Sequence, residues 1–141
     1  MKRKFKFLEH TADVKFRAFG KTLNEVFKNS ALALKEVICE KTKIKGKKKK
    51  KISAKGKDYE ALLYRFLEEI LYLLDADEFI IAKVENVKIN KEKFELTAVI
   101  KGDKTSNYKF SNPAKAITYN DMFVKNLGAG KGWIAQVVVD V

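Results

Sequence analysis

The stretch FLEHTADVKFRAFG, residues 7–20, decides the fold, because two strand-like patterns meet inside it. Apolar and polar residues alternate with a period of two over residues 3–9 and again over residues 14–19, which is typical of strands with one buried face. The junction between them, HTAD, contains no Gly or Pro. It carries His10, the single histidine of the chain, and Asp13. The sequence therefore predicts two successive strands with a candidate site at their junction.

Two later segments have helical periodicity. Residues 23–38 place apolar side chains on one stripe, and Thr22 with Glu25 three positions later has the spacing of a helix N-terminus. A second helix with a broad apolar face follows the predicted N-cap residue Asp58 and ends at residues 76–78.

Four further strands are predicted, and residues 103–114 are predicted to form a loop. Together these elements indicate a single α+β domain over residues 1–141, with an antiparallel-rich sheet packed against two main helices. The four strands cover residues 79–89, 94–102, 116–125 and 133–141.

The positive charge of the chain is concentrated in one segment. The net charge is +12, and residues 41–57 contain ten lysines and no acid, so the rest of the chain carries a net charge of only +2. We predict a short exposed hairpin or edge pair here, since lysines on edge strands oppose association between sheets. Two interpretations stay open: a solvated face, or an electrostatic contact with nucleic acid or an acidic protein surface.

Composition also limits the class of protein. Cys39 is the only cysteine, so no internal disulfide can form, and its place in an apolar helical pattern predicts a buried, inert thiol. No signal peptide is evident, and no apolar run approaches the roughly 20 residues of a membrane span. We expect a cytoplasmic protein without a membrane partner; the sequence specifies no oligomeric state.

Two familiar kinds of site are not supported. GAGKG, residues 128–132, resembles part of a phosphate-binding loop, but Gly-Trp follows its lysine and a strand pattern comes next, so we predict a hairpin turn. One histidine and one cysteine cannot form a zinc site of the usual type or a convincing catalytic triad. We assign no catalytic residue, and a stand-alone metal hydrolase is the weakest hypothesis.

Acidic residues at the two ends of the chain form the most informative pattern. Asp140 follows a buried strand pattern and is succeeded by Val141, whose carboxylate is a second anion. If the first and last strands pair, these two groups and Asp13 converge, and three carboxylates repel one another unless protonated or bridged by a cation. Oxygen ligands of this kind suit Ca²⁺, Mg²⁺ or Mn²⁺. The alternative is that these are surface acids at strand ends.

Four segments in order, EHTADVKFRAFG at 9–20, DYEALLYRFLEEILYLLD at 58–75, KAITYND at 115–121 and VVVDV at 137–141, together resemble the archease family. The resemblance implies a small, non-enzymatic activator of the RtcB-type tRNA-splicing RNA ligase, which promotes ligase guanylylation and multiple turnover. Some members are described as chaperones for a tRNA cytosine methyltransferase. An RNA-binding or chaperone module is therefore the alternative expectation, with tRNA or the methyltransferase as partner.

The resemblance also implies roles for particular residues. The family's metal ligands correspond to Asp13, Asp140 and Val141, with Ca²⁺ expected first and Mg²⁺ or Mn²⁺ as alternatives. Lys115 corresponds to a further functional residue, and His10 is expected to support the metal site indirectly. Many members have His where this chain has Asn120, which departs from the family pattern without affecting the acids.

Overall fold

Residues 3–9 and 12–141 are described by a computed structural model. His10 lies outside the described residues. The described chain contains helix α1 (Leu23–Cys39), helix α2 (Tyr59–Ala76) and seven strands, with a short 3₁₀ turn at Thr105–Asn107 inside the predicted loop. The strands are β1 (Phe5–Leu8), β2 (Val14–Gly20), β3 (Lys48–Lys55), β4 (Phe79–Asn90), β5 (Glu95–Lys104), β6 (Ala116–Asn126) and β7 (Trp133–Asp140).

Both helices begin at the residues that the sequence predicts. The Thr22 hydroxyl accepts a 3.1 Å hydrogen bond from the Glu25 backbone N–H, and the Asp58 carboxylate accepts one of 2.7 Å from the Ala61 backbone N–H. Such caps satisfy N–H groups that have no partner inside the helix, each stabilising by about 1 kcal/mol. The helix starts are therefore set by local sequence.

The strands form two antiparallel sheets. The first has the order β1-β2-β7-β6 and the second the order β3-β5-β4. In the first sheet β7 is internal, because it pairs with β2 on one side and β6 on the other. The fold class predicted from the sequence, an α+β domain with antiparallel sheets and two main helices, is confirmed.

The core lies where the helices cover the inner faces of the sheets. Phe16 of β2, Phe27 of α1 and Phe66 of α2 are completely buried, and the rings of Phe27 and Phe66 lie 6.0 Å apart. Aromatic side chains of this size supply much of the apolar area that holds a small domain together. Cys39 is buried at the end of α1, where burial raises the pKa of its thiol.

The Lys-rich segment differs from the prediction in one respect. It does not form a hairpin of its own: β3 is an edge strand that pairs with the distant strand β5. Ile52 and Ala54 point inward and are buried, whereas most of the lysines of β3 are exposed. Among the residues that the structure describes, no helix is both long enough and apolar enough to cross a membrane.

Candidate functional site

Asp13 and Asp140 lie at the same end of two neighbouring strands. Val14, the first residue of β2, pairs with Val139 in β7. Asp13 immediately precedes Val14 and Asp140 immediately follows Val139, so the antiparallel register brings both acids to one end of the sheet. The backbone at Ala12 is left-handed, with φ of 69°, where the chain turns into β2.

Lys115 joins this end of the sheet from the other side of β7. Ala116 pairs with Asp140 across β6 and β7, and the Lys115 backbone N–H donates a 2.7 Å hydrogen bond to the Asp140 carbonyl. The Lys115 side chain is exposed. The backbone therefore gathers Asp13, Asp140, Val141 and Lys115 into one region, which we call the acidic end of the sheet.

The donor chemistry of the acidic end suits a hard cation. Asp13, Asp140 and Val141 are each partly buried, and carboxylates at neighbouring strand positions repel each other unless a positive charge lies between them. Within residues 3–9 and 12–141, no three His, Cys, Asp or Glu side chains are grouped to hold a metal ion. Asp13 and Asp140 carry carboxylate oxygens, ligands of the kind that Ca²⁺ and Mg²⁺ prefer.

A hydrogen-bonded network on the outer face of the same sheet was not predicted. The Lys15 ammonium lies 3.2 Å from the Asp121 carboxylate, and the Gln136 amide donates a 2.7 Å hydrogen bond to the Asp121 carbonyl. The Arg17 guanidinium donates a 2.9 Å hydrogen bond to the side-chain amide oxygen of Gln136. These contacts hold an irregular part of β6, where the register with β7 shifts between residues 118 and 123. No local sequence signal could have revealed them.

A pair of stacked aromatic rings joins this irregular part of β6 to α2. Tyr119 is 55% exposed, and its ring stacks on Tyr64 of α2 with centroids 4.2 Å apart and planes 7° from parallel. Partial burial, followed by the nearby Tyr64, raises the pKa of the Tyr119 phenol. Asn120 is exposed, and its backbone N–H donates to the Thr118 hydroxyl at 3.3 Å. The stack fixes the segment that follows Lys115.

The glycine-rich loop lies at the opposite end of the sheet. Residues 127–132 connect β6 to β7 as a hairpin, as predicted, and Gly128, Gly130 and Gly132 all have positive φ. The Lys131 backbone N–H donates to the Gly128 carbonyl at 3.0 Å. A strand follows this loop where a phosphate-binding loop would require a helix.

Comparison with known proteins gives one consistent result. The family model described as the archease protein family matches residues 5–141. A protein named archease from Pyrococcus furiosus is 41% identical over 143 residues, covering 99% of each chain. Another from Methanosarcina barkeri is 39% identical over 99% of this chain and 97% of its own. A solution structure of protein 1598 from Methanobacterium thermoautotrophicum superposes with a TM-score of 0.79 at 29% identity, covering 98% of this chain and 99% of that one.

Proposed function

The chain belongs to the archease family, and we propose that it activates an RtcB-type RNA ligase through the acidic end of its sheet. Family membership supports a role in tRNA splicing as an activator of the tRNA-splicing ligase family, an accessory role rather than an enzymatic one. The observation that supports this particular site is the register of β7, which sets Asp140 between the start of β2 and Lys115.

The first element of the proposal is a divalent cation. Asp13, Asp140 and the Val141 carboxylate would hold it, with Ca²⁺ first and Mg²⁺ or Mn²⁺ as alternatives. When bound, the ion supplies positive charge that can neutralise phosphate oxygens during guanylyl transfer. The two aspartates adjoin Val14 and Val139, which pair directly, and this pairing supports a site whose backbone needs little ordering when an ion binds.

The second element is Lys115. Its ammonium is free to reach a phosphate or a ligase carboxylate because the side chain is exposed, while its backbone is fixed by the hydrogen bond to Asp140. A lysine donates hydrogen bonds as a compact positive charge, which suits phosphate contact. In this role Lys115 positions the partner's reacting groups beside the acidic end. The ligase supplies the guanylylated residue.

The test is activation of a purified RtcB-type ligase, measured as the rate of guanylylation and as the number of turnovers per ligase. We expect Asp13→Ala, Asp140→Ala and Lys115→Ala each to lower activation at least about tenfold, the loss expected when one charge-stabilising group is removed. Asp75→Ala and Lys91→Ala are matched controls, since both residues are exposed and neither belongs to β2, β6 or β7. If the three site variants activate as well as wild type, the site is assigned wrongly.

The alternative, an RNA-binding or chaperone module for a tRNA methyltransferase, rests on the Lys-rich segment. Part of its charge is balanced in the folded chain: Lys50 lies 3.4 Å from Asp77, and Lys55 lies 3.4 Å from Glu95. Balanced surface charges attract a polyanion less than uncompensated ones. The segment therefore supports this alternative less strongly than its composition suggests.

A further inference from the structure

A large cleft lies at the end of the first sheet that is opposite to the acidic end. Asp13 adjoins one end of β2, and Gly20 at the other end lines this cleft, which has a volume of about 1130 Å³. A strand of seven residues separates the two, a distance of about 20 Å. The cleft is bounded by the chain around β1, by the start of α1 and by the loop between β6 and β7. It is thus separate from the acidic end.

The charge of the cleft is strongly positive and uncompensated. Among the described residues that line the cleft, only Glu25 is acidic, and its carboxylate accepts a 3.1 Å hydrogen bond from the Lys21 backbone N–H at the start of α1. Within the described part of the chain, none of the basic lining residues forms an ion pair, in contrast to the paired lysines of the second sheet. The basic residues are Arg3, Lys4, Lys6, Lys21, Lys28 and Lys131.

Two of the segments that carry these charges are held together by glycine packing. Gly132 has φ of 82°, and a Cβ built on it would lie 2.5 Å from the Gly20 carbonyl oxygen. This close approach of the two backbones is possible only because residue 132 has no side chain. Lys131 precedes Gly132 and Lys21 follows Gly20, so the fold brings the backbones of two of these lysines close together. Like charges kept close without compensation indicate a site for an anion.

We propose that this cleft binds the phosphodiester backbone of single-stranded RNA without reading its sequence. Cations on three segments around a concave surface focus the electric field and release counterions from a polyanion when it binds. Five of the six basic residues are lysines, which are depleted in protein–protein interfaces, so an acidic protein fits this lining less well. A double-stranded nucleic acid is a convex rod, and it would contact only the rim of the cleft.

Matched variants distinguish this site from a general effect of charge. The cleft variant combines Lys4→Gln, Lys21→Gln, Lys28→Gln and Lys131→Gln. The control variant combines Lys43→Gln, Lys49→Gln, Lys51→Gln and Lys57→Gln in the Lys-rich segment. All eight side chains are exposed, so both proteins should fold, which circular dichroism checks. Each variant loses four positive charges and leaves the acidic end unchanged.

The measurement is fluorescence anisotropy of a labelled 12-nucleotide single-stranded RNA titrated with the whole chain from 50 to 300 mM salt. We expect the cleft variant to bind the RNA at least tenfold more weakly than wild type at 50 mM salt. The slope of its plot of log affinity against log salt concentration should be smaller in magnitude by about 2 to 3. The control variant should lose less than about threefold. Equal losses in the two variants would overturn the proposal.

Two competitors test the other classes of ligand. A polyglutamate peptide that displaces the RNA at equal charge concentration would show an acidic protein surface as the ligand and contradict the proposal. ATP that displaces the RNA at comparable concentration would show a small phosphate site and also contradict it. We expect both to compete at least tenfold less well than unlabelled RNA, because neither offers the regularly spaced phosphates of an RNA strand. The binding assay contains no ligase, so its result is independent of the proposed function.

Discussion

The backbone N–H of Lys115 donates a 2.7 Å hydrogen bond to the backbone carbonyl of Asp140. The next residue, Ala116, continues the pairing as the partner of Asp140 in the ladder between β6 and β7. The contact involves no side-chain atom of either residue. The charge of Lys115 can therefore be removed by substitution without losing the hydrogen bond that holds Asp140.

Substitutions at Lys115 should separate these two contributions. Lys115→Ala keeps the backbone N–H, so we expect its free energy of unfolding to stay within about 0.5 kcal/mol of wild type. Lys115→Pro removes the donor and should cost about 1–3 kcal/mol, because the Asp140 carbonyl loses its hydrogen bond. Urea denaturation measures both. A proline variant as stable as the alanine variant would show that the hydrogen bond contributes little.

Calcium should stabilise the chain through the acidic end. A ligand that binds only the folded state stabilises it by about 2.7 kcal/mol when its concentration is one hundred times Kd. We expect Ca²⁺ to raise the melting temperature of wild type, and Asp140→Asn to abolish most of that rise. Differential scanning calorimetry with and without EDTA makes the measurement. Asp75→Asn, on the exposed side of α2, is the matched control and should respond like wild type.

Two of the three glycines in the β6–β7 loop, Gly130 and Gly132, should differ in their tolerance of a side chain. Gly130 has φ of 74°, and a Cβ there would meet nothing within 4 Å, so Gly130→Ala should cost only the left-handed backbone, about 1–2 kcal/mol. Gly132→Ala has the same backbone cost and a clash with the Gly20 carbonyl. We expect it to be less stable than Gly130→Ala by at least about 1 kcal/mol in thermal unfolding. Equal stabilities would contradict the close packing of residues 20 and 132.

Asp103 should contribute to acid sensitivity. Its carboxylate accepts a 2.7 Å hydrogen bond from the Tyr108 hydroxyl, then one of 2.8 Å from the Lys104 N–H, and these lower its pKa. A carboxyl whose pKa is lower when folded stabilises the fold above its unfolded pKa of about 3.9, and that stability is lost as pH falls through the folded pKa.

The corresponding experiment compares Asp103→Asn with wild type at pH 7 and at pH 2. The variant should have the lower urea midpoint at pH 7, and the difference should shrink as the pH falls toward 2 and the wild-type carboxyl takes up a proton. Tyr108→Phe should give a smaller difference with the same pH dependence, because it removes the largest of the contributions that lower the pKa. A difference in urea midpoint that persists unchanged at pH 2 would mean that Asp103 stabilises the fold through its shape and not through its charge.

Local features of this fold could be predicted from the sequence. The caps at Thr22 and Asp58 involve residues three positions apart, and the helices have an apolar stripe that any window of the sequence reveals. The hairpin at residues 127–132 was predicted from its glycines. In each case the residues that determine the structure are neighbours along the chain.

Features set by distant partners could not be predicted in the same way. The position of β3 depends on β5, which lies far along the chain, so the lysines alone predicted a hairpin or an edge pair without identifying the partner strand. The irregular part of β6 is held by Lys15 and Gln136, and the Lys15–Asp121 contact spans 106 positions. The juxtaposition of Asp13 and Asp140 could be stated only as a condition, namely that a strand near each end of the chain would pair.

The internal position of β7 in its sheet determines the stage of folding at which the acidic end forms. The contact between Arg17 and Gln136 spans 119 positions, and contacts of such separation close late in folding, because the chain entropy lost is large. Asp13 and Asp140 are therefore neighbours only in a molecule whose last strand has docked. A partner that must contact both acids at once would bind fully folded molecules and would not bind incompletely folded ones.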